Sequence, residues 1–212
     1  MKIICVGRNY AEHAAELGDE PPTAPLLFGK FENTLIGPGD AIVLPPEATH
    51  TDAEAELAVE IGAGGHRIAE AAALEHIRGY RCANDVSARN IQYSESQWAR
   101  AKGFDTFCPL GDQLVPVSEL GDGSGLRVVQ RLNGEVLQDG STSDLIFSVP
   151  YLVSFISSVF TLEPGDLILT GTPPGVGFAR EPKLSLVEGD VVEVEVEGVG
   201  VLRNPVVRED AA

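Results

Sequence analysis

Basic residues are scarce in this chain of 212: 15 Lys and Arg stand against 32 Asp and Glu, a net charge of −17. Nucleic acid and anionic membrane surfaces attract partners through a positive field, so this balance argues against both. In so negative a chain, a few well-placed basic residues would have to offset repulsion if the ligand is itself an anion. Cysteine is scarce too. Cys5, Cys82 and Cys108 are odd in number and lack CxxC spacing, which predicts reduced thiols in a cytoplasmic protein. Long apolar runs are missing, none approaching the ~20 residues that span a bilayer. The start, MKIICVG, is too short for a signal-peptide core and meets Arg8 at once. A phosphate loop is also missing. In LTGTPPGVG (169–177) no Gly-Lys-Ser/Thr follows, and Pro173 and Pro174 have no amide to offer.

The length suits a single domain, 1–212, able to bury roughly 70% of the surface its unfolded chain exposes. The 23 glycines and 14 prolines predict many turns. GPGDAIVLP (37–45), EPGDLILTG (163–171) and VEGDVVEVEVEG (187–198) each place Gly-Asp before an apolar or alternating run, a turn followed by a strand. Residues 3–6, 56–61 and 126–132 add strands. Helices are fewer. SVPYLVSFISSVFTL (148–162) has Leu152, Phe155, Ile156 and Val159 at helical spacing, with Ser148 as N-cap and Pro150 in the first turn. RIAEAAALEHIRG (67–79) has high helix propensity and a terminal Gly79. NYAEHAAELG (9–18) has Asn9 and Glu12 at capping-box spacing and Gly18 as a stop. GDEPPTAP (18–25) is the expected mobile loop.

HTDAEAELAVEIG (50–62) alternates. Asp52, Glu54, Glu56 and Glu60 take even positions; Ala53, Ala55, Leu57, Val59 and Ile61 take odd ones. A strand alternates faces with a period of two, so one side is apolar and the other acidic. That acidic side is either solvated or, through Glu54 and Glu56, half of a site for a hard cation, which needs a third carboxylate. In CANDVSARNIQ (82–92), Asp85 fits the N-cap of a helix starting at Val86, with Arg89 and Gln92 on its face. That face is either an anion-binding surface or ordinary exposed residues around a cap. His13 and Glu16, three apart on the first helix, are either a base with its orienting carboxylate or a solvated pair. Lys102, in WARAKGFDTFCPLG (98–111), either meets an anion or covers apolar surface with its stem. Thr172 and the amides of the 169–177 loop either hold a carboxylate or form a structural turn.

The order and separation of VGRNYAEHAAELG, EAELAVEIG, GYRCANDVSARNIQ, WARAKGFDTFCPLG, LNGEVLQDGSTSDLIFSVP and LEPGDLILTGTPPGVG resemble the fumarylacetoacetate hydrolase superfamily from residue 4 to about 207. The resemblance is to its short branch of acylpyruvate hydrolases, oxaloacetate decarboxylases or tautomerases, and hydroxyheptadienedioate isomerases. It implies a β-rich α+β fold, a mixed β-roll core with short peripheral helices, paired as a homodimer. It implies that Glu54, Glu56 and Asp85 bind one Mg²⁺ or Mn²⁺. His13 and Glu16 would be a water-activating dyad on a segment that orders over ligand, with Lys102 catalytic beside it. Arg89, Gln92 and Thr172 would bind a small anionic 2-oxo acid.

The activity so implied is metal-dependent cleavage of a C–C bond in an acylpyruvate-type 2,4-dioxo acid through an enolate. Oxaloacetate decarboxylation or tautomerisation, or isomerisation of 2-hydroxyhepta-2,4-diene-1,7-dioate, are alternatives on the same site. A catalytically silent metal-binding module is the non-enzyme alternative. The chain departs from the family pattern at Ala53, where an aromatic or His is common, at FGKF (28–31) in place of FLKP, and in the short connection from Gln92 to Trp98. These bear on pocket shape and substrate range. Asp52 and Glu60 match no ligand position and are expected at the solvated surface.

Overall fold

The computed structural model describes residues 1–209. Two mixed sheets form its frame. The first runs, edge to edge, Val115–Pro116, Ile77–Asn84, Ala55–Ile61, Leu167–Leu169, Ile3–Gly7, Leu26–Lys30. Within it only Ile3–Gly7 and Leu167–Leu169 run parallel. The second runs Glu135–Ser141, Arg127–Leu132, Val191–Val196, Gly200–Arg208, Ile42–Leu44, with the last pair parallel. This is the strand-rich α+β architecture expected. Among the described residues no helix is long and apolar enough to cross a membrane.

Period-two alternation assigns each strand residue to a face. Ile4 and Val6 join Leu57, Val59, Ile61, Tyr80 and Cys82 in one core, completed by Val128, Val194, Val196 and Leu202 of the second sheet. Ile3 and Cys5 point the other way, onto Ala58, Ala83, Cys108, Leu167 and Leu169. Both faces of the first sheet are therefore covered. All seven residues of Ala55–Ile61 are buried, which corrects the solvated reading of the acidic face. Glu60 is 6% exposed and is held by Arg78 Nη1 and Arg81 Nε, each at 2.7 Å. Asp52 is buried as well, at 4%. Alternation distinguishes two environments, but it does not say that the polar one is water.

The helices are peripheral and short. The expected 148–162 helix spans Val149–Val159, capped by Ser148 Oγ accepting from Tyr151 N at 3.4 Å. Its Leu152, Val153 and Ile156 face the core. The 67–79 helix is corrected to a 3₁₀ segment, Glu70–His76, followed by the strand Ile77–Asn84. Pairing with Ala55–Ile61 and burial of Ile77, Tyr80 and Cys82 outweigh the local helix propensity of Ala and Glu. The helix expected from Val86 is also corrected. Ser87–Ala88 pairs as a strand with Thr51–Asp52, leaving only Arg89–Gln92 helical, so Asp85 is not its cap.

The first helix is Ala11–Glu16, and its N-cap residue, Tyr10, makes no side-chain cap bond. Asn9 serves elsewhere: its Nδ2 donates to Thr170 O (2.8 Å) and Phe147 O (3.1 Å), and its Oδ1 accepts from Phe147 N (2.8 Å). It clamps the start of this helix to two distant loops. Asn9→Ala strips partners from backbone groups that have no other among the described residues, at about 1–3 kcal/mol for each one left buried. A urea midpoint clearly below wild type is the expected outcome; an unchanged midpoint would refute the clamp.

Candidate active site

Register brings the acidic residues together. Ala55 pairs with Asn84 and Glu56 with Ala83, so Asp85 lies across from Glu54, its amide donating to Glu54 O at 2.9 Å. Asn84 Oδ1 accepts from Glu54 N at 3.0 Å and closes the same corner. One oxygen from each of Glu54, Glu56 and Asp85 lies within 4.8 Å of the others. All three side chains are buried. They open onto a cleft of about 240 Å³ that is also lined by His13, Arg89, Gln92, Lys102 and Thr172. The site residues expected from sequence thus surround one cavity, except Glu16, which stands behind His13.

Buried carboxylates need partners. Lys102 Nζ donates to Glu54 Oε2 and Asp85 Oδ2, both at 2.7 Å. Arg89 Nη2 reaches Glu54 Oε1 at 2.6 Å and Asp52 Oδ2 at 3.1 Å, and its Nη1 donates to Gln92 Oε1 at 2.9 Å. Lys30 Nζ lies 2.8 Å from Asp85 Oδ1, although its protons are directed at Val86 O, Lys102 O and Phe107 O. Asp85 Oδ1 therefore has a cation beside it but no proton aimed at it.

Burial alone would raise the Glu54 carboxyl, but Arg89, Lys102 and His13 hold it well below the usual range. Burial pushes Glu56 the other way, reinforced by the charges of Asp85 and Glu54, and its carboxyl rises well above the ordinary value. Its hydrogen bond comes from Gly171 N at 2.7 Å. Gly171 has φ +105, and a Cβ there would sit 2.8 Å from Asn9 Cβ, so the loop needs glycine at this point. Burial would lower the Lys102 ammonium, but Asp85 and Glu54 raise it, so it stays charged. Four carboxylates, Asp52, Glu54, Glu56 and Asp85, face three cations, Lys30, Arg89 and Lys102. The surplus negative charge, the hard oxygen donors and the underpartnered Asp85 Oδ1 fit a divalent ion such as Mg²⁺ or Mn²⁺.

His13, 4% exposed, places Nδ1 2.7 Å from Glu16 Oε1 and Nε2 4.0 Å from Glu54 Oε1. Glu16 Oε2 accepts from Gly175 N at 2.8 Å. An Nδ1–H donated to Glu16 leaves the Nε2 lone pair facing the cleft. The 169–177 loop does offer amides to carboxylates, but to those of the protein itself: Glu56, Glu16 and, through Gly177 N, Asp52. Thr172 Oγ1 donates to Ala55 O and accepts from Gln138 Nε2.

Over residues 2–207 the chain matches the fumarylacetoacetate (FAA) hydrolase C-terminal family. It belongs to that family. Among relatives, the mitochondrial oxaloacetate tautomerase of Bos taurus is 46% identical over 208 residues, 97% of this chain; the match spans 66% of the tautomerase's length, just under two thirds. The 5-carboxymethyl-2-hydroxymuconate delta-isomerase of Mycobacterium smegmatis superposes with TM-score 0.88 at 45% identity, covering 99% of this chain and 80% of that one. The fumarylpyruvate hydrolase of Pseudomonas aeruginosa, solved with Mn²⁺ and pyruvate, gives TM-score 0.90 at 32% identity, covering 99% and 90%.

Three residues that brace this cluster escaped the sequence reading. Asp52 had the same alternation as its neighbours but was assigned to the surface. Lys30 stood in view inside the atypical FGKF, a base in an apolar segment of a chain short of bases. Gln138, which joins Ala55 N to Thr172 Oγ1, carries no local signal.

The two glutamates move stability in opposite directions with pH. Glu54, with a lowered folded pKa, contributes stability above its reference value of 4.5, lost as pH falls through the lowered value. Glu56, with a raised folded pKa, contributes stability below 4.5 that is lost as pH rises through the raised value. Metal-free protein should therefore melt at lower temperature as pH climbs through that second window, and added Mg²⁺ should cancel the loss. Metal binding favours the ionised Glu56 carboxylate, so calorimetry in buffers of different ionisation enthalpy should detect proton release. Metal binding with no proton released would contradict this account of Glu56.

Proposed function

We propose that this chain is a divalent-metal-dependent enzyme that moves a proton between carbon and oxygen of a small 2-oxo acid, as a keto–enol tautomerase or isomerase. The observation that carries the reading is the joint geometry of the cavity: a buried carboxylate triad, with His13 Nε2 facing it 4.0 Å from Glu54 Oε1. The 46% identity to an oxaloacetate tautomerase and 45% identity to a delta-isomerase support proton transfer over bond cleavage.

A divalent ion held by Glu54, Glu56 and Asp85 would supply Lewis acidity toward the oxygens of a 2-oxo acid. The chain's own residues handle charge and the proton. His13 Nε2 takes the proton from the carbon next to the keto group, the C–H electron pair becomes the enol C=C, and the proton passes to the former keto oxygen, or the same transfer runs in reverse; Glu16 keeps the imidazole in the tautomer that can do so. The Lys102 ammonium offsets negative charge as it develops on oxygen. Arg89 and Gln92, tied to each other, form the wall that orients the substrate carboxylate. A silent metal-binding module would have no use for the buried His13–Glu16 pair. We also propose a homodimer, supported by the free edge strand Leu26–Lys30 and the exposed Phe31 and Phe160 beside it.

Hydrolysis of an acylpyruvate C–C bond is the second reading. The same dyad favours it, since His13 could deprotonate water, as does the likeness to a fumarylpyruvate hydrolase at 32% identity. The deciding assay supplies Mg²⁺ or Mn²⁺ with enol oxaloacetate, 2-hydroxydienedioates and acylpyruvates, and identifies products. Enol loss or double-bond migration without C–C cleavage is expected; exclusive cleavage would replace the first reading with the second. Asp85→Ala should abolish metal-dependent turnover. His13→Ala should lower turnover by roughly 10²–10⁴-fold with calorimetric Mg²⁺ affinity retained. Wild-type rates in His13→Ala would remove His13 as the base.

A further inference from the structure

One wall of the cleft is aromatic, with a cation at each end. Lys102 Nζ lies 5.0 Å from the Phe28 ring centroid, Phe28 meets Trp98 edge-on at 5.2 Å, and Arg8 Cζ lies over Trp98 at 5.7 Å. Arg8, Phe28, Trp98 and Lys102 all line the cavity. Trp98 can lie flat there because its neighbour is Gly7, where a Cβ would come within 2.7 Å of the indole. Arg8 is fixed by its backbone as well, at φ +58, a left-handed conformation uncommon for a residue with a side chain and often found at functional sites.

The cations lining the cleft differ in what they hold. Lys102 is 2% exposed and bound to Glu54 and Asp85; Arg89 is 1% exposed and bound to Asp52, Glu54 and Gln92. Arg8 instead pairs with one carboxylate, Asp19, at 2.8 Å, and both side chains are 31% exposed. Asp19 does not line the cleft. Glu95, which does, is paired with Arg100. An exposed ion pair of this kind contributes only ~0–1 kcal/mol, so Arg8 can exchange its partner at little cost.

We propose that Arg8 is a specificity-determining residue whose guanidinium binds a second carboxylate at the far end of the substrate. The 2-oxo end occupies the Glu54–Glu56–Asp85 corner, the carbon chain lies along Phe28 and Trp98, and the distal carboxylate displaces Asp19 from the guanidinium. A bidentate carboxylate–guanidinium pair suits that exchange. The inference rests on the 2-oxo acid reading of the site proposed above.

The test measures binding, not turnover, by calorimetry on the full chain with saturating Mg²⁺. Oxaloacetate, 2-oxoglutarate and 2-oxoadipate are compared with 2-oxobutyrate, 2-oxovalerate and 2-oxohexanoate, which match them in length but lack the distal carboxylate. Wild-type protein should prefer the dicarboxylate in at least one pair by roughly 10–100-fold, the range for a hydrogen-bonded charge. Arg8→Asn, which tolerates the left-handed backbone, should erase that preference while leaving the monocarboxylate affinity within about twofold. Asp19→Asn should tighten the dicarboxylate by removing its competitor. If wild-type protein binds mono- and dicarboxylates equally, or Arg8→Asn weakens both members of a pair alike, the Arg8 assignment falls while the 2-oxo acid site stands. If no 2-oxo acid binds, the reading of the site falls and takes this inference with it.

Discussion

The rest of the structure is organised around a crowd of buried carboxylates. Asp52, Glu54, Glu56 and Asp85 sit at one end of the central strand pair, all but sealed from solvent. Isolated charges cannot remain ionised in such a place without partners. Lys30 arrives from the edge strand, Lys102 from a short helix and Arg89 from another, and each is itself buried. Among the described residues none of these cations pairs with Glu56, and its raised carboxyl pKa registers that shortfall. Imbalance of this kind lowers stability in the isolated chain and favours a divalent ion. Stability and the fit of the cluster to a divalent ion are therefore in tension at one group, a trade-off common at functional sites.

Loops complete what the strands begin. The Gly-rich turn after Leu167–Leu169 gives one amide to Glu56, one to Glu16 and one to Asp52. Three carboxylates with different roles, one in the triad, one behind His13 and one behind Arg89, are thus aligned by a single backbone segment. Asn9 ties that same segment to the helix carrying His13. His13 and the carboxylate triad consequently share a common support, and the 4.0 Å between His13 and Glu54 is set by packed loops rather than by the short helix itself.

Much was legible in the chain. The strand-rich α+β class, the turn-then-strand segments and the amphipathic helix after Ser148 follow from local periodicity and turn chemistry. So do the residue types of the site, because hard carboxylates, a His three residues from a Glu and scarce bases each carry chemical meaning at short range. Local rules failed where a distant partner competed. Residues 67–79 have the propensity of a helix, yet ladder hydrogen bonds and apolar burial against Ala55–Ile61 claim Ile77–Asn84 as a strand and leave only Glu70–His76 as a 3₁₀ segment. Asn9 had the spacing of a cap, yet two remote loops offered it better partners.

The sequence by itself determined the inventory: which side chains can bind a hard cation, hold a proton or meet an anion, and which strand faces differ in polarity. Only the tertiary structure decided what lies opposite each face. The acidic side of residues 52–60 is covered because the neighbouring strands and the 169–177 loop close over it, and no period-two pattern can report that. Asp85 joins Glu54 because the antiparallel register places it there, and a register is a property of two strands rather than one. The same holds for the wall from Lys102 to Arg8. Its members come from three separated stretches, at Arg8, at Phe28 and at Trp98 and Lys102, the N-cap and last residue of one short helix, and their proximity is set by packing, which acts through contact and not through sequence distance.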